Sequence, residues 1–278
     1  MKALFDKVSQ RTSKMVTTSY STSFSLGIFF LDRTLHQHIY AIYGFVRFAD
    51  EVVDTFHEHD KKWLLDNFRE QTYDAIERGI SLNPVLNSFQ ATVNEFNIDR
   101  NLIDTFLKSM EMDINPREYD SRSYDEYILG SAEVVGLMCL KVFCYGDQKQ
   151  YEALSPEAMK LGSAFQKINF LRDLNADYYH LGRIYFPGVE IDEFNDTVKS
   201  EIEADIEKDF RKGYEGILKL PKKARFGVYI AYVYYYALFQ KIKATPAQVI
   251  LQKRVRIPNS NKYGLLLSSY FRHSFNLL

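Results

Sequence analysis

Apolar residues recur along this chain at the three- and four-residue spacing of α-helices. Alternating patterns typical of β-strands, with turn dipeptides between them, are nearly absent. The 13 glycines and 7 prolines make up about 5% and 3% of the chain, below the roughly 7% and 5% of average proteins. The sequence has no internal repeat, low-complexity tract or linker, and we therefore predict an all-α fold that forms a single domain over residues 1–278.

Residues that begin and end helices divide the chain into predicted segments. Asp32 can cap a helix, and Ser123 with Glu126 forms a capping-box pattern. Pro156 after Ser155 favours a helix start, because proline at the first helical position loses no hydrogen bond. The predicted helices are 32–57, 60–79, 123–145, 155–179, 198–220, 224–243 and one after Asn261, and 181–188 is predicted to be a loop.

Charge and motif content exclude several classes of function. The formal net charge is −1 and no basic run is present, so we expect no binding to nucleic acid. The sequence contains neither Gly-x-Gly nor GxSxG, and we expect no nucleotide cofactor. The pairs His36 with His38 and His57 with His59 have no cysteine or third ligand nearby, and we interpret them as surface residues rather than zinc ligands.

The cysteines and the apolar segments predict a cytoplasmic protein. Cys139 and Cys144 do not form a CxxC pair, and no signal peptide precedes the first helix-like segment. We therefore expect two buried thiols in a reducing compartment. The longest apolar stretch, residues 226–239, is shorter than the roughly 20 residues of a membrane span. We interpret it as a buried, tyrosine-rich helix, while contact with a membrane surface stays open.

One predicted helix carries acidic residues in an otherwise apolar context. Tyr43, Arg47, Asp50 and Asp54 follow one another by four, three and four residues, which places them on one helix face. The opposite face carries core positions: Leu35, Ile39, Ile42 and Val53. We expect the acids to face inward or into a cleft. One arginine cannot neutralise two buried carboxylates, so further positive charge or shifted pKa values are required.

A second predicted helix repeats this pattern. Gln166, Asn169, Asp173 and Asp177 follow one another by three, four and four residues. Its other side carries apolar positions: Leu161, Phe165, Ile168 and Leu171. Acid pairs at this spacing are also common on solvated helix surfaces. Two matched pairs with arginine, glutamine and asparagine between them favour a site built between facing helices.

The two carboxylate pairs predict a metal site. All the candidate ligands are oxygen atoms, which select hard cations such as Mg²⁺ or Mn²⁺ over zinc. Mg²⁺ held by few carboxylates keeps several waters and completes its coordination with substrate phosphate. A diphosphate substrate is the expectation that follows.

These segments resemble the squalene and phytoene synthases, which are head-to-head prenyl transferases of the all-α isoprenoid synthase fold. Residues 47–54 (RFADEVVD) look like the first aspartate motif of that family, and residues 166–177 look like the second. Three further stretches resemble family segments: SYSTSFS at 19–25, VVGLM at 134–138 and RIYFP at 183–187. The resemblance covers nearly the whole chain and implies a helical bundle with a central apolar cavity.

The resemblance also implies roles for individual residues. The metal ligands would be Asp50, Asp54, Asp173 and Asp177, together with Asn169. Arg47 and Tyr43 would join the four aspartates as catalytic residues. The residues implied in substrate binding are Ser21, Ser23, Phe24, Arg47, Gln166, Asn169, Arg172, Arg183, Tyr234 and Arg254.

Alternatives remain for several of these residues. Arg256 is an alternative to Arg254 as the diphosphate contact. Core packing is an alternative role for Phe24, Tyr43 and Tyr234, and capping of the following helix is one for Ser21 and Ser23. Ala176 departs from the family pattern, because the family usually has an acid just before the final aspartate of the second motif.

The implied reaction is a Mg²⁺-dependent condensation of two prenyl diphosphates through a cyclopropyl diphosphate. Because residues 50–54 look more like phytoene synthases, we expect two geranylgeranyl diphosphates to give phytoene, for carotenoid biosynthesis. The alternative is condensation of two farnesyl diphosphates to dehydrosqualene or squalene, with NADPH consumption marking squalene. A terpene cyclase fits the VGLM and RIYFP resemblances less well. A non-catalytic scaffold with the same fold would show eroded aspartates, whereas all four are present.

Prenyl diphosphates are the expected partners, and no obligate protein partner is evident. The chain ends at Leu278 without the membrane anchor of eukaryotic squalene synthases. Because the product would be insoluble in water, we expect transient contact with the inner face of the cytoplasmic membrane. No basic amphipathic helix in the sequence demonstrates that contact.

Overall fold

The computed structural model describes residues 1–114 and 119–257, with positions 180 and 181 described by their backbone alone. Every regular element in these ranges is a helix, which confirms the predicted all-α class. The elements in chain order are α1 (Lys2–Tyr20), α2 (Thr22–Phe29), α3 (Arg33–Asp54), α4 (Lys61–Arg78), α5 (Pro84–Phe96), α6 (Arg100–Met112), α7 (Ser121–Ile128), a π-helical turn (Leu129–Glu133), α8 (Val134–Phe143), α9 (Gln148–Leu181), a 3₁₀ turn (Ile191–Glu193), α10 (Asp196–Lys219), α11 (Lys222–Lys243) and α12 (Ala247–Ile250).

Two clusters of buried apolar side chains hold the bundle together. In the first, the Phe45 ring of α3 stacks on the Phe89 ring of α5 with 4.0 Å between centroids. In the second, the ring centroids of Phe210 on α10 and Phe239 on α11 lie 5.5 Å apart. Burial of one such side chain is worth about 1.5 to 3 kcal/mol. The first cluster anchors α3, and α9 contributes Leu154 to the first cluster and Ile168 to the second, so both acidic helices are fixed by buried apolar contacts.

Helix α3 forms where the sequence predicts it. Its first turn is capped by Asp32, whose carboxylate accepts a hydrogen bond from the Thr34 N–H at 3.0 Å. The four residues predicted to face the core, Leu35, Ile39, Ile42 and Val53, are between 0% and 2% exposed. The acidic stripe on the other face is consequently held in a fixed orientation.

Two predicted helix starts are wrong. Asp120 rather than Ser123 caps α7, and it accepts a hydrogen bond from the Ser123 N–H at 2.7 Å. Helix α9 begins at Gln148 after the cap Asp147, so Pro156 lies inside the helix. A proline inside a helix removes one backbone hydrogen bond. Burial along this 34-residue helix outweighs that local preference, since tertiary packing supplies most helix stability.

The other predicted helices within the described residues agree closely with the structure, whereas α1, α2, α5 and α6 were not among the predicted helices. Helices α4, α10 and α11 begin and end within about two residues of expectation, and the stretch after α9 is a loop. The helix predicted after Asn261 lies outside the described residues. Both cysteines are buried free thiols, as predicted. His38 is buried, and its Nδ1 atom lies 3.1 Å from Thr92 Oγ1, so its interpretation as a surface residue is wrong.

A π-helical turn connects α7 to α8. Gly130 in this turn lies against α6, where a Cβ atom would come within 2.5 Å of the Ser109 Cβ. The missing side chain therefore permits the close approach of the turn to α6. Ser131 and Ala132 of the same turn line a central cavity. None of the helices in the described part of the chain combines the length and the apolar character that crossing a membrane requires.

Candidate active site

A cavity of about 500 Å³ lies between α2, α3, α8, α9, α10 and α11. Most of its wall is apolar, with contributions from Ile39, Val135, Leu140 and Ile217. Polar side chains gather at one end: Arg47, Gln166, Asn169, Arg172 and Arg254. An apolar cavity with a few convergent polar groups is the usual form of a small-molecule site. This cavity and its polar end are therefore the candidate active site.

Arg47 of α3 binds Asp50 in the first stripe, which consists of Tyr43, Arg47, Asp50 and Asp54. Its guanidinium donates hydrogen bonds to Asp50 Oδ2 at 2.6 Å and to Glu51. It also lies 4.2 Å from the centre of the Tyr20 ring. Burial and the nearby charge of Asp54 raise the pKa of Asp50 to about 7, although Arg47 lowers it. The pKa of the Asp50 carboxyl group is thus raised even though an arginine is in contact with it.

Helix α9 carries the second stripe, which consists of Gln166, Asn169, Asp173 and Asp177. Gln166 and Asn169 line the same end of the cavity, whereas Asp173 and Asp177 are not part of the lining and Asp173 reaches it through arginines. Asp173 accepts hydrogen bonds from Arg172 Nη2 at 2.6 Å and contacts Arg254 Nε at 2.6 Å. Both arginines also line the cavity. Arg256 is exposed and uses its backbone carbonyl to bind Lys241. Of the two C-terminal arginines, Arg254 is the one at the site.

The cavity wall extends further around α9 than the spacing of its polar residues predicts. Leu161 and Phe165 line the cavity together with Gln166 and Asn169, so the prediction that Leu161 and Phe165 lie on the opposite side of the helix is wrong. A helix rotates by about 100° per residue, so a wide wall accommodates both sets. Ile168 is fully buried in the core, as expected.

Arg183 joins the loop after α9 to the first stripe. Gly182 ends the helix with a φ of +65°, and the Arg183 N–H then donates to the Asp177 carbonyl at 2.9 Å. The Arg183 side chain is 4% exposed and donates to Asp54 Oδ1 at 2.7 Å. It also donates to the Asp113 carbonyl oxygen at 2.8 Å. Arg183 supplies the further positive charge that the first stripe requires.

Three buried residues of this region were not singled out from the sequence. The Tyr127 hydroxyl donates to Asp113 Oδ2 at 2.5 Å, and the Tyr185 hydroxyl donates to Oδ1 at 3.2 Å. Burial raises the pKa of Asp113 to about 6, although Arg183 and Tyr127 lower it. No local pattern marks Asp113 or Tyr127, because their partners are distant in sequence. The RIYFP stretch does contain Tyr185, so the signal for that residue was present.

Repulsion from neighbouring carboxylates acts on Asp50 in the first stripe and on Asp177 in the second. Burial, followed by the charges of Asp173 and Asp54, raises the pKa of Asp177 to about 7. Asp54 also raises the pKa of Asp50, so its charge acts on both helices. A bound cation would relieve this repulsion, and carboxylate oxygens suit a hard cation such as Mg²⁺.

The donor set fits an ion that is shared with a ligand. Within residues 1–114 and 119–257, no three Asp, Glu, His or Cys side chains converge on one point that could hold a metal ion. Mg²⁺ is commonly bound by one or two carboxylates and completed by water and substrate phosphate, rather than by a cage of protein ligands. The separated carboxylates of α3 and α9 match that mode. Ala176, between Asn175 and Asp177, adds no further donor.

Residues of α2 and α3 form the wall next to Arg47. Ser21, Phe24 and Tyr43 line the cavity, and the rings of Phe24 and Tyr43 have centroids 5.2 Å apart. Burial raises the pKa of Tyr43 to about 12, so its hydroxyl remains protonated. Ser21 also caps α2 by accepting a hydrogen bond from the Phe24 N–H at 3.2 Å. Ser23 is half-buried and does not line the cavity.

The tyrosine of α11 that lines the cavity is Tyr235, the neighbour of the predicted Tyr234. Tyr235 lines the cavity, whereas Tyr234 does not and packs against the second core cluster. The Tyr235 ring stacks on Phe165 at 4.1 Å, and its hydroxyl lies 3.5 Å from Asn169 Oδ1. The aromatic face of α11 at the site therefore belongs to Tyr235.

Comparison with known proteins places these features in a family. The family model described as "Squalene/phytoene synthase" matches residues 17–261. A phytoene synthase of Arthrospira platensis is 27% identical, over 90% of this chain and 88% of that protein. A 4,4'-diapophytoene synthase of Staphylococcus haemolyticus is 26% identical, over 68% of this chain and 66% of that protein.

A solved structure shares the fold. The crystal structure of a dehydrosqualene synthase in complex with ligand superposes with a TM-score of 0.82, covering 97% of this chain and 98% of that chain. The two sequences are 20% identical, so this likeness concerns the arrangement of helices. It confirms the predicted isoprenoid synthase type of bundle.

Proposed function

Because the chain belongs to the squalene/phytoene synthase family and is therefore a prenyltransferase, we propose that it joins two prenyl diphosphates head to head in a Mg²⁺-dependent reaction. We propose geranylgeranyl diphosphate as the substrate and phytoene as the product, by way of a cyclopropyl diphosphate. One observation carries the proposal. Asp50 and Asp173, on different helices, are each bound by arginines that line the polar end of one apolar cavity.

The arginines at the polar end would bind the diphosphates. Arg47, Arg172 and Arg254 reach the cavity wall, and a guanidinium fork matches the oxygens of a phosphate. Gln166 and Asn169 line the same end and can donate amide hydrogens. An entering diphosphate would take over donors that now bind Asp50 and Asp173. Substrate binding would thereby release these carboxylates for other ligands.

The carboxylates on α3 and α9 would hold the metal. The proposed ligands are Asp50, Asp54, Asp173 and Asp177, with Asn169 beside them. Mg²⁺ or Mn²⁺ bound there would act as a Lewis acid that neutralises the departing diphosphate. Both helices are fixed by buried cores, so the two carboxylate pairs keep their relative positions when substrate enters.

The cavity wall would protect an allylic carbocation from water. Departure of the first diphosphate leaves this cation, and the double bond of the second substrate must reach it before water does. Phe24, Tyr43 and Tyr235 present aromatic rings to the cavity, and such faces stabilise positive charge. Water that entered would convert the cation to an alcohol, so the apolar lining serves the reaction directly.

Two prenyl diphosphates of different chain length are candidates for the substrate. The relative named as a phytoene synthase matches over 88% of its length, which favours the geranylgeranyl substrate. The relative named as a 4,4'-diapophytoene synthase and the fold shared with a dehydrosqualene synthase keep the farnesyl substrate as the second candidate. The product of that second reaction would be dehydrosqualene, or squalene if NADPH is consumed.

The test is to incubate the purified protein with Mg²⁺ and either diphosphate, with and without NADPH, and to identify the extracted hydrocarbon by its mass. Asp50→Ala and Asp173→Ala serve as inactive controls, and Asp74→Ala on the exposed side of α4 serves as an active one. A C40 hydrocarbon that both site variants fail to make would support phytoene synthesis. A C30 hydrocarbon would keep the chemistry and replace the substrate.

A protein that kept the fold without the chemistry would behave differently. It would give no hydrocarbon from either substrate, although circular dichroism showed it to be folded. Mg²⁺ with inorganic diphosphate would also leave its melting temperature unchanged. That pair of results would overturn the proposed function.

A further inference from the structure

A charged side chain lies at the end of the cavity that is remote from the aspartates. Glu157 is on α9 and lines the cavity together with Leu154, Gly216 and Leu220. Nine residues separate it from Gln166 at the polar end, which is about 14 Å along a helix axis at 1.5 Å per residue. Sixteen residues, or about 24 Å, separate it from Asp173. A carboxylate in this position stands out, because the wall around it is mostly apolar.

Glu157 is buried and incompletely paired. Its side chain is 7% exposed. Oε1 accepts a hydrogen bond from Lys219 Nζ at 3.2 Å and lies 3.4 Å from Lys212 Nζ. Oε2 is buried and accepts no hydrogen bond from the described residues. One oxygen thus faces two lysines of α10, while the other lacks a polar partner.

The carboxylate is ionised and held in place. Burial raises the pKa of Glu157, but the hydrogen bond and the charge of Lys219, together with Lys212, lower it by more, so the pKa lies below its ordinary value. The backbone of α10 meets the stem of this side chain at Gly216, where a Cβ atom would come within 2.4 Å of the Glu157 Cβ. Because α10 blocks that direction, the carboxylate has little room to move away from an entering group.

We propose that Glu157 forms the floor of the cavity and sets the longest prenyl chain that the protein accepts. The terminal methyl groups of a prenyl chain offer no hydrogen bond to an ionised carboxylate. Their contact with it would displace water from the charge without replacing that solvation, which is unfavourable. Each isoprene unit lengthens an extended chain by about 5 Å, from four carbon–carbon bonds of about 1.5 Å that zigzag. A prenyl chain whose end does not reach Glu157 therefore fits the cavity. A chain that is longer by one isoprene unit would bring its terminal methyl groups into contact with the carboxylate.

This inference refines the proposed function, since it assumes that a prenyl chain occupies the cavity. It does not depend on whether the natural substrate has three or four isoprene units, because the floor defines an upper limit. A purely structural role for Glu157, as a link between α9 and α10, predicts a loss of stability without any change in chain-length preference. The two roles can therefore be separated by experiment.

The experiment measures binding of the unreactive farnesyl, geranylgeranyl and geranylfarnesyl thiolodiphosphates by calorimetry in the presence of Mg²⁺. The variants are Glu157→Ala, which removes the floor, and Glu157→Gln, which keeps its shape and removes the charge. Glu152→Ala and Glu152→Gln are matched controls, because Glu152 is exposed on the same helix. Circular dichroism and melting temperature establish that each variant is folded.

We expect the affinity of the unmodified protein to fall by about tenfold or more at the first chain that is too long, since pocket contacts of one hydrocarbon unit discriminate on that scale. Glu157→Ala should recover most of this loss and move the limit up by one unit. Glu157→Gln should recover part of it, and the Glu152 variants should match the unmodified protein. If Glu157→Ala does not fold, the response of Glu157→Gln decides.

An unchanged ratio of affinities in folded Glu157→Ala, within about twofold of the unmodified protein, would overturn the inference. Failure of the unmodified protein to bind any of the three chains would overturn it as well. Turnover assays keep the two proposals apart. A protein that binds the series with a limit set by Glu157, but makes no hydrocarbon, would contradict the proposed function and support this inference.

Discussion

Arg183 Nη1 lies 2.7 Å from Asp54 Oδ1, and this contact ties the loop after α9 to the C-terminal end of α3 across 129 positions of sequence. The same guanidinium binds the Asp113 carbonyl, so three separate segments meet at one buried side chain. A lysine has neither the planar fork nor the number of donors to replace these contacts.

We therefore expect Arg183→Lys to lower the free energy of unfolding by about 3 kcal/mol, because it leaves buried acceptors incompletely paired. Urea denaturation measures this change. Arg78→Lys is the matched control, since Arg78 pairs with Asp74 on the exposed surface and its replacement should leave stability unaltered. Equal stabilities of Arg183→Lys and the unmodified protein would show that the buried contacts contribute little.

Removal of one carboxylate from each helix tests the proposed metal site. Asp50→Asn and Asp173→Asn should each reduce kcat by about 10² to 10³, the usual effect of removing one preorganised electrostatic group. Each should also abolish the Mg²⁺-dependent part of inorganic diphosphate binding, measured by calorimetry. Asp74→Asn, on the surface of α4, should change neither quantity. Full Mg²⁺-dependent binding by Asp173→Asn would remove that residue from the ligand set.

Stability should depend on pH through Asp50 and Asp177. Both have pKa values raised to about 7 from an ordinary value of 3.8, so between these values the folded protein holds protons that the unfolded chain has released. The free energy of unfolding must then decrease as pH rises through this window. We expect the melting temperature, without divalent cations, to fall between pH 5 and about pH 8.

Asp177→Asn should flatten this pH dependence, because an amide does not titrate. Melting curves of both proteins across the same pH range provide the comparison. A slope that is as steep in Asp177→Asn as in the unmodified protein would mean that other groups cause it. Mg²⁺ with diphosphate should also reduce the slope, since bound cations favour the ionised carboxylates.

Neighbouring tyrosines on α11 offer a paired test of the cavity wall. Tyr235→Leu keeps an apolar side chain but removes the aromatic face that lies on Phe165, and we expect kcat to fall by about tenfold with little change in KM. Tyr234→Leu should have a smaller effect, because Tyr234 does not line the cavity. The reverse order of effects would place the reacting cation nearer to Tyr234.

Much of the helical framework could be predicted because its causes are local. The apolar face of α3 and its cap at Asp32 both follow from the pattern of residues within one short segment, and the structure confirms both. The start of α9 could not be found in this way, since Pro156 is tolerated inside the helix for reasons of tertiary packing. Local preferences are weakest where packing over many residues competes with them.

The site shows the same division between local and distant causes. Helical spacing predicted that Arg47, Asp50 and Asp54 share a face, and Arg47 does bind Asp50. Asp113 and Tyr127 carry no such pattern, because their contacts arise only when distant segments fold together. Glu157 has no sequence signal either, since a glutamate on a helix usually faces solvent and only the structure shows that it is buried.

Helix α9 carries Asp177, Asp173 and Glu157 on one uninterrupted element. One turn of a helix advances about 5.4 Å, nearly the length of an isoprene unit, so the proposed limit on chain length would shift by about one unit for each turn of α9. A single substitution one turn along the helix in either direction, at Leu161 or Leu154, would move this limit without altering the residues that are proposed to bind diphosphate. Substrate size and reaction chemistry could thus diverge independently among proteins with this architecture.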